Sequence, residues 1–246
     1  MTKLSVNVNK VATLRNTRTL EIPSIVRLSR IALDAGAHGI TVHPRPDQRH
    51  IRPGDVVEIA ALLEAYPAAE YNIEGNPFHG LFEHCERVKP QQATLVPDAR
   101  EAFTSNHGWN LVELDAVGRA ALSRSISDLK ALGARVSLFL DPVEAMMPLA
   151  RELGADRVEL YTEPYAAAAA AGRAAESIAT YARAAAAARA AGLGVNAGHD
   201  LSLQNLAAFV RGTGPIDEVS IGHALIADAL ELGMAETVRR YLAECR

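Results

Sequence analysis

The chain has 246 residues, 49% of them hydrophobic and 22% charged, with a formal net charge of −4 at pH 7. That length suits one large domain or two small ones, and the composition is that of an ordinary globular protein. The negative charge and the lack of a basic run argue against a nucleic-acid binder. The amino terminus lacks a signal peptide's apolar core, and Arg173, Glu176, Arg183 and Arg189 interrupt the alanine run, which therefore does not qualify as a membrane span. Cys85 and Cys245 have no paired spacing, so neither a disulfide framework nor a zinc site is expected. The expectation is a soluble cytoplasmic protein.

In chain order, the valines in Leu4–Asn9 predict a short first strand, followed by a polar loop through Arg18. Ser24 is placed to cap a helix in which Ile25, Leu28, Ile31 and Leu33 recur at roughly helical spacing up to Gly36. A strand over Gly39–His43 runs into a loop carrying Arg45, Arg49 and His50, where prolines at 44 and 46 stop the strand from continuing. Pro53-Gly54-Asp55 opens a helix through Leu63. Glu70–Glu74 reads as a third strand, Pro77–Val88 as a helix, and Ala93–Val96 as a fourth strand ended by Pro97. Asp98–Asn110 is a long irregular segment, a length that usually signals function or disorder.

A helix over Leu114–Leu132, a strand over Val136–Leu140, a helix over 143–153 and a strand over Arg157–Tyr161 follow. Alanine is the best helix former, so 166–191 reads as one long helix, ended by Gly192 and Gly194 before a strand over Val195–Ala197. A helix over Leu203–Val210, a strand over Glu218–Ile221 and a last helix from Gly222-His223 to the carboxyl terminus complete the chain. Eight strands alternating with helices, with no compositional break, predict a single (β/α)8 TIM barrel over residues 1–246. An open doubly wound sheet would carry a glycine-rich turn after its first strand, and Asn9-Lys10-Val11-Ala12 is not one.

Strand side chains alternate between faces. One set is apolar, with Val6, Ile40, Val42, Ile73, Leu95, Val136 and Val158, and suits contact with the helices. The other set is polar, with Asn7, Asn9, Thr41, His43, Asn72, Glu74, Thr94, Ser137, Glu159, Asn196 and Ser220, and would face the lumen. Unpartnered buried polar groups cost on the order of 1–3 kcal/mol each, so this set implies a bonded network or a ligand.

At the carboxyl ends of the strands, where barrel enzymes hold their chemistry, the sequence places His43, Arg45 and His50, then Glu74, His199 with Asp200, and Gly222 with His223. Gly198 and Gly222 free backbone N–H groups after strands seven and eight, a usual phosphate position in barrels. Arg18, Arg45 and Arg49 would add anion contacts. Glu74, desolvated at the mouth, would serve as general base. A metal-dependent barrel hydrolase would show paired histidines on strand one, where Val6-Asn7-Val8-Asn9 stands, so no metal is expected.

Several segments, in this order, resemble the pyridoxine 5′-phosphate synthase family over nearly the whole chain. They are Val6 to Asn16, Gly39 to Arg45 with Arg49-His50-Ile51, Asn72-Ile73-Glu74, Leu95-Val96-Pro97, Val136 to Phe139, Val195 to His199 and Ile221-Gly222-His223. The resemblance implies condensation of 1-deoxy-D-xylulose 5-phosphate with 3-amino-2-oxopropyl phosphate to pyridoxine 5′-phosphate, phosphate and water. It implies no metal or organic cofactor, two small phosphorylated substrates as partners, and a homo-oligomer, a dimer or an octamer. By position it implies that His43 and Glu74 accept protons, His199 donates one and Glu159 stabilises a transition state. Asn7, Arg18, Gly222 and His223 would hold the amino-ketone phosphate. Arg45, His50 and Thr104 would hold the deoxyxylulose phosphate, with Thr104 on a loop placed to close as a lid.

The chain departs from the better-known pattern of that family. Asn9-Lys10 stands where many members have Asp-His, which bears on the sugar-phosphate contact, and Asp200 stands where a glycine is expected. Tyr161-Thr162-Glu163 replaces a His-Thr-Gly run, and the loop from Arg18 through Ile22 lacks a usual glycine. Two other readings stay open: a Lys10 Schiff-base enzyme acting on a keto-sugar phosphate, and a non-catalytic phosphate-binding paralogue.

Overall fold

Eight parallel strands close into a barrel in the order of the chain, with β8 bonded back to β1, in the computed structural model, which describes residues 1–102 and 104–246. The strands are β1 (Lys3–Asn7), β2 (Gly39–Val42), β3 (Glu70–Gly75), β4 (Gln92–Leu95), β5 (Arg135–Leu140), β6 (Arg157–Tyr161), β7 (Gly194–His199) and β8 (Glu218–Ile221). The helices among the described residues are α1 (Asn9–Asn16), α2 (Ile25–Asp34), α3 (Pro53–Leu63), α4 (Leu81–Val88), α5 (Ala116–Ala131), α6 (Met146–Glu152), α7 (Glu163–Ala170), α8 (Ala174–Ala190), α9 (Leu206–Thr213), α10 (His223–Leu232) and α11 (Met234–Glu244). None of them is long and apolar enough to cross a membrane.

The period-two pattern decides which way each strand faces. Leu4, Val6, Ile40, Val42, Ile73, Leu95, Val136 and Val158 are fully buried in the layer between strands and helices. Full burial of each such side chain is worth roughly 1.5–3 kcal/mol. The alternate residues fill the lumen with polar groups, and most of them are bonded to one another. Ser5 Oγ lies 2.7 Å from Thr41 Oγ1, Asn72 Nδ2 donates to Thr41 Oγ1 at 3.4 Å, and Thr94 Oγ1 donates to Asn72 Oδ1 at 3.0 Å.

Local chemistry starts and stops the helices. Ser24 caps α2 by accepting from Arg27 N, Asp115 caps α5 by accepting from Gly118 N, and Pro53 opens α3 with Asp55 accepting from Arg52 N.

Four sequence expectations need correction. Strand one ends at Asn7 and not at Asn9, because Asn7 Oδ1 accepts from Asn9 N at 3.0 Å and turns the chain directly into α1, where a polar loop was expected. The alanine segment forms two helices, since Gly172 sits at φ +74° between α7 and α8. The carboxyl-terminal helix is likewise divided at Gly233. The helix expected from Pro77 begins at Leu81, after a left-handed Gly80.

Candidate active site

The carboxyl ends of the strands open onto a cavity of about 510 Å³. Asn7, Asn9, Lys10, His43, Arg45, His50, Glu74, Thr104, Glu159, His199, Asp200, Gly222 and His223 all line it. Thirteen of the fourteen residues singled out from the sequence therefore share one wall-to-wall space. The other, Arg18, lies on exposed chain beyond α1, outside this lining.

The first two strand ends are locked together by side-chain amides. The Asn7 turn puts Asn9 beside β2, and Asn9 Oδ1 accepts from His43 N at 2.9 Å. Lys10 sits in the first turn of α1, at the cavity rim. Further along α1, Arg15 makes two hydrogen bonds to buried Asp55, at 2.5 and 3.0 Å, and Asn16 Nδ2 donates to the carbonyl of His50 at 2.8 Å. The loop over 44–52 is thereby pinned from below, and its His50 holds a fixed position.

Burial and neighbouring charges separate the ionisable groups into distinct protonation states. Burial, with Arg45, His50 and His199 nearby, holds His43 well below the usual histidine range, so its imidazole is neutral and free to accept a proton. Burial, with Arg45 and Lys10, pushes His50 down to about 3. His50 Nδ1 accepts from Ile51 N at 3.0 Å, which leaves the ring proton on Nε2 as a donor. Burial raises Glu74 to about 7, His199 pulling against that and Asp98 adding to it. A carboxyl poised there exchanges its proton in either direction at neutral pH. Its closest polar neighbours are Asn7 Nδ2 at 3.4 Å and His43 Nδ1 at 3.9 Å, the latter too long for a hydrogen bond. With His43 neutral, the two form a pair of proton acceptors and not an ion pair.

Burial, then Glu74 and Glu218, raise Glu159 well above the carboxylate range. It is a neutral carboxyl whose buried Oε2 has no hydrogen-bond partner among the described residues. A side chain at Gly198 is excluded, since a Cβ there would lie 2.7 Å from the backbone oxygen of Ser220 and 2.7 Å from Glu159 Oε1. For His199, burial lowers the pKa, but a hydrogen bond to Asp200, followed by the charges of Asp200, Glu74 and Asp98, brings it above the usual value. The cavity thus holds an imidazole held well below its usual range, a carboxyl poised near neutrality, a carboxyl raised well above its usual range and an imidazole raised above its usual value. That is the separation acid–base catalysis needs.

The loop after β4 adds groups that sequence reasoning missed. Asp98 pairs with Arg45 and accepts from Ser105 Oγ at 2.6 Å, and Arg45 Nη1 donates to the carbonyl of Ala102 at 3.0 Å. Arg45, expected to hold a substrate phosphate, is already bonded to this loop. Asp98 directly follows the proline that ends the fourth strand, so the carboxyl-end rule applied to the other strands would have found it. Thr104 Oγ1 lies 3.3 Å from His199 Nε2, and residue 103 of this segment lies outside the described residues. Val96 and Phe139 supply an apolar patch of the wall, and Phe139 packs against Tyr161 at 5.4 Å.

Residues 4–246 match the family described as "Pyridoxal phosphate biosynthesis protein PdxJ". The chain belongs to that family. Among its relatives, the pyridoxine 5′-phosphate synthase of Albidiferax ferrireducens is 53% identical over 98% of this chain and 96% of its own length. That of Chelativorans sp. is 53% identical over 99% and 98%, and that of Xanthomonas campestris 52% identical over 98% and 95%. Among solved structures, 3-hexulose-6-phosphate synthase superposes with a TM-score of 0.64 at 13% identity, covering 99% of this chain and 100% of that one. Thiamine phosphate pyrophosphorylase from Pyrococcus furiosus gives 0.63 at 11% identity, covering 99% and 95%. These two likenesses concern the barrel alone.

Proposed function

We propose that the protein condenses 1-deoxy-D-xylulose 5-phosphate with 3-amino-2-oxopropyl phosphate to give pyridoxine 5′-phosphate, inorganic phosphate and water. Family membership names the reaction class. The observation that carries the mechanism is one cavity in which His43, Glu74, Glu159 and His199 stand in different protonation states.

Ring formation requires imine formation, carbon–carbon closure, loss of phosphate and dehydration, so protons must be removed and delivered at several atoms of one bound intermediate. Neutral His43 and poised Glu74 remove them. Charged His199 returns one to a leaving oxygen. The protonated, unpartnered Glu159 donates a hydrogen bond to oxygen as negative charge develops on it. Asn7, Gly222 and His223 line the cavity and suit the amino-ketone phosphate, with Arg18 assigned to the same phosphate by resemblance. Lys10, Arg45, His50 and Thr104 line it too and suit the sugar phosphate, where lysine provides a point charge in place of the more usual histidine.

Purified protein given both substrates is expected to release pyridoxine 5′-phosphate and phosphate together, and well-folded protein that releases neither would overturn this reading. Because Lys10 lines the cavity, a Schiff base between its amine and a keto-sugar phosphate is the second reading. Borohydride treatment with substrate that leaves Lys10 unmodified sinks it. A cytoplasmic homo-oligomer belongs to the same proposal, with exposed Leu14, Leu20 and Ile22 as apolar surface for a neighbouring copy, and light scattering at a monomer's mass would count against it.

A further inference from the structure

We propose that Asp200 is the positioning residue for His199: its carboxylate fixes the imidazole by Nδ1, turns Nε2 into the cavity and provides a fixed negative charge behind the ring. The inference rests on His199 acting as proton donor, and deepens that reading with a residue of the loop after strand seven.

The geometry is closed on both sides of the ring. Asp200 Oδ2 accepts from His199 Nδ1 at 2.7 Å, and on the opposite edge Nε2 lies 3.3 Å from Thr104 Oγ1 at the cavity. Proton delivery is therefore confined to one nitrogen. The edge of Tyr161, with its ring centre 5.8 Å away, bounds the swing of the imidazole.

The backbone is held as well. His199 has φ +103°, a conformation that costs a non-glycine residue on the order of 1–3 kcal/mol and persists only where the surroundings impose it. One buried hydroxyl imposes it here. Thr162 Oγ1 donates to the carbonyl of Gly198 at 2.7 Å and accepts from Asp200 N at 3.2 Å, gripping the peptides on both sides of His199. Asn205 Nδ2 adds a bond to the carbonyl of Asp200 at 3.4 Å. That clamp aims the Asp200 side chain back at the ring that precedes it.

Charged and titratable groups on several elements face His199, among them Glu159 on β6 and His223 at the start of α10, which line the same cavity, and Glu163 at the start of α7, which lines the space beside it. Asp200 lies on its own strand end, His43 beyond β2, Glu74 on β3, and Asp98, itself paired with Arg45, beyond β4. His43 is neutral, and Glu74 changes charge near neutral pH, which leaves Asp200 as the group in direct hydrogen-bond contact. Removing its charge lowers the pH at which His199 gives up its proton. Activity that needs the charged ring then fails at lower pH.

The test is made on His199 directly, by nitrogen NMR of histidine-labelled full-length protein, with the signal assigned by its loss in His199→Asn. In Asp200→Asn the titration of His199 is expected to move to lower pH while Nδ1 stays protonated, because the amide oxygen still accepts. In Asp200→Gly both the charge and the nitrogen preference are lost. In the synthase assay, kcat of Asp200→Gly falls on the order of tenfold with little change in KM, the alkaline limb of the rate profile moves to lower pH, and Asp200→Glu restores part of it. Unchanged His199 titration in Asp200→Asn, in protein with wild-type circular dichroism, overturns the proposal. Absence of product from wild-type protein instead overturns the synthase reading and leaves the NMR result standing on its own.

Discussion

Glu70 and Glu74 stand four residues apart on the lumen face of β3, yet they live in opposite environments. At the amino-terminal end of the barrel, burial alone would raise Glu70, but hydrogen bonds from Lys3 and Arg135 bring it below the usual carboxylate range. Around it, Arg135 bonds Gln92, Arg157 bonds Asn196, and Glu218 accepts from Gln92 at 3.2 Å and Asn196 at 3.4 Å. At the carboxyl-terminal end, Glu74 and Glu159 have no cation in hydrogen-bond contact among the described residues, and burial raises both. Between the ends lies the neutral band of Ser5, Thr41, Asn72 and Thr94. The same residue type closes the barrel where its charge is met by a partner, and becomes reactive where it is not.

The largest effect that tests this contrast is on rate. Glu74→Gln keeps the side chain's shape and removes its proton exchange, so kcat should fall on the order of 10²–10⁴-fold in the synthase assay, with the fold intact. A variant of near-full activity would remove Glu74 from the chemistry.

The next effect is on stability. Glu74 has an ordinary carboxyl value of 4.5 when unfolded and about 7 when folded, so between those pH values the folded state binds more proton. Stability therefore falls as pH rises from 4.5 to about 7, by on the order of 3 kcal/mol, and changes little outside that window from this group. Denaturant midpoints across the range should show this decline in the wild type and a flatter one in Glu74→Gln, where Glu159 and Glu218 still contribute in the same sense. Equal slopes in the two proteins would mean that Glu74 is not held away from solvent.

These contrasts were only partly legible in the sequence. Alternation of Val6 with Asn7, Ile40 with Thr41 and Ile73 with Glu74 was enough to give eight strands, their faces and a barrel, because period two follows from backbone geometry alone. The rule that chemistry sits at strand carboxyl ends located most of the cavity lining. Partner choice was not legible. Nothing local marks Asn7 as the residue that starts α1, Arg15 as the anchor of Asp55, or Asp98 as the partner of Arg45, since those pairs join segments about 40 or more residues apart or depend on a side chain folding back on its own turn. Gly172 and Gly233 were visible as residues, but an alanine-rich or apolar context outweighed a single glycine in reading helix continuity.

The smallest effect comes from the other end of the lumen. Glu70→Gln removes the carboxylate shared by Lys3 and Arg135, whose side chains are 43% and 29% exposed, so solvent takes over much of the lost interaction and the cost should be about 1 kcal/mol. The pH dependence has the reverse sign from that of Glu74. The folded value of Glu70 is lowered, so its contribution is present above the unfolded carboxyl value and lost as pH falls through the folded one. Roughly 1 M salt, which cuts the screening length to about 3 Å, should shrink the difference between variant and wild type. Synthase activity should stay within about twofold: Glu218 of this cluster does act on Glu74 and Glu159, but Glu70 stands four residues, roughly 13 Å, along the strand from Glu74, where the loss of its already partnered charge is felt only weakly. A folded Glu70→Gln protein with a large loss of activity would show that Glu70, and not Glu218 alone, couples the amino-terminal end of the lumen to the cavity, and that the partnered carboxylate helps set the protonation state of the unpartnered one.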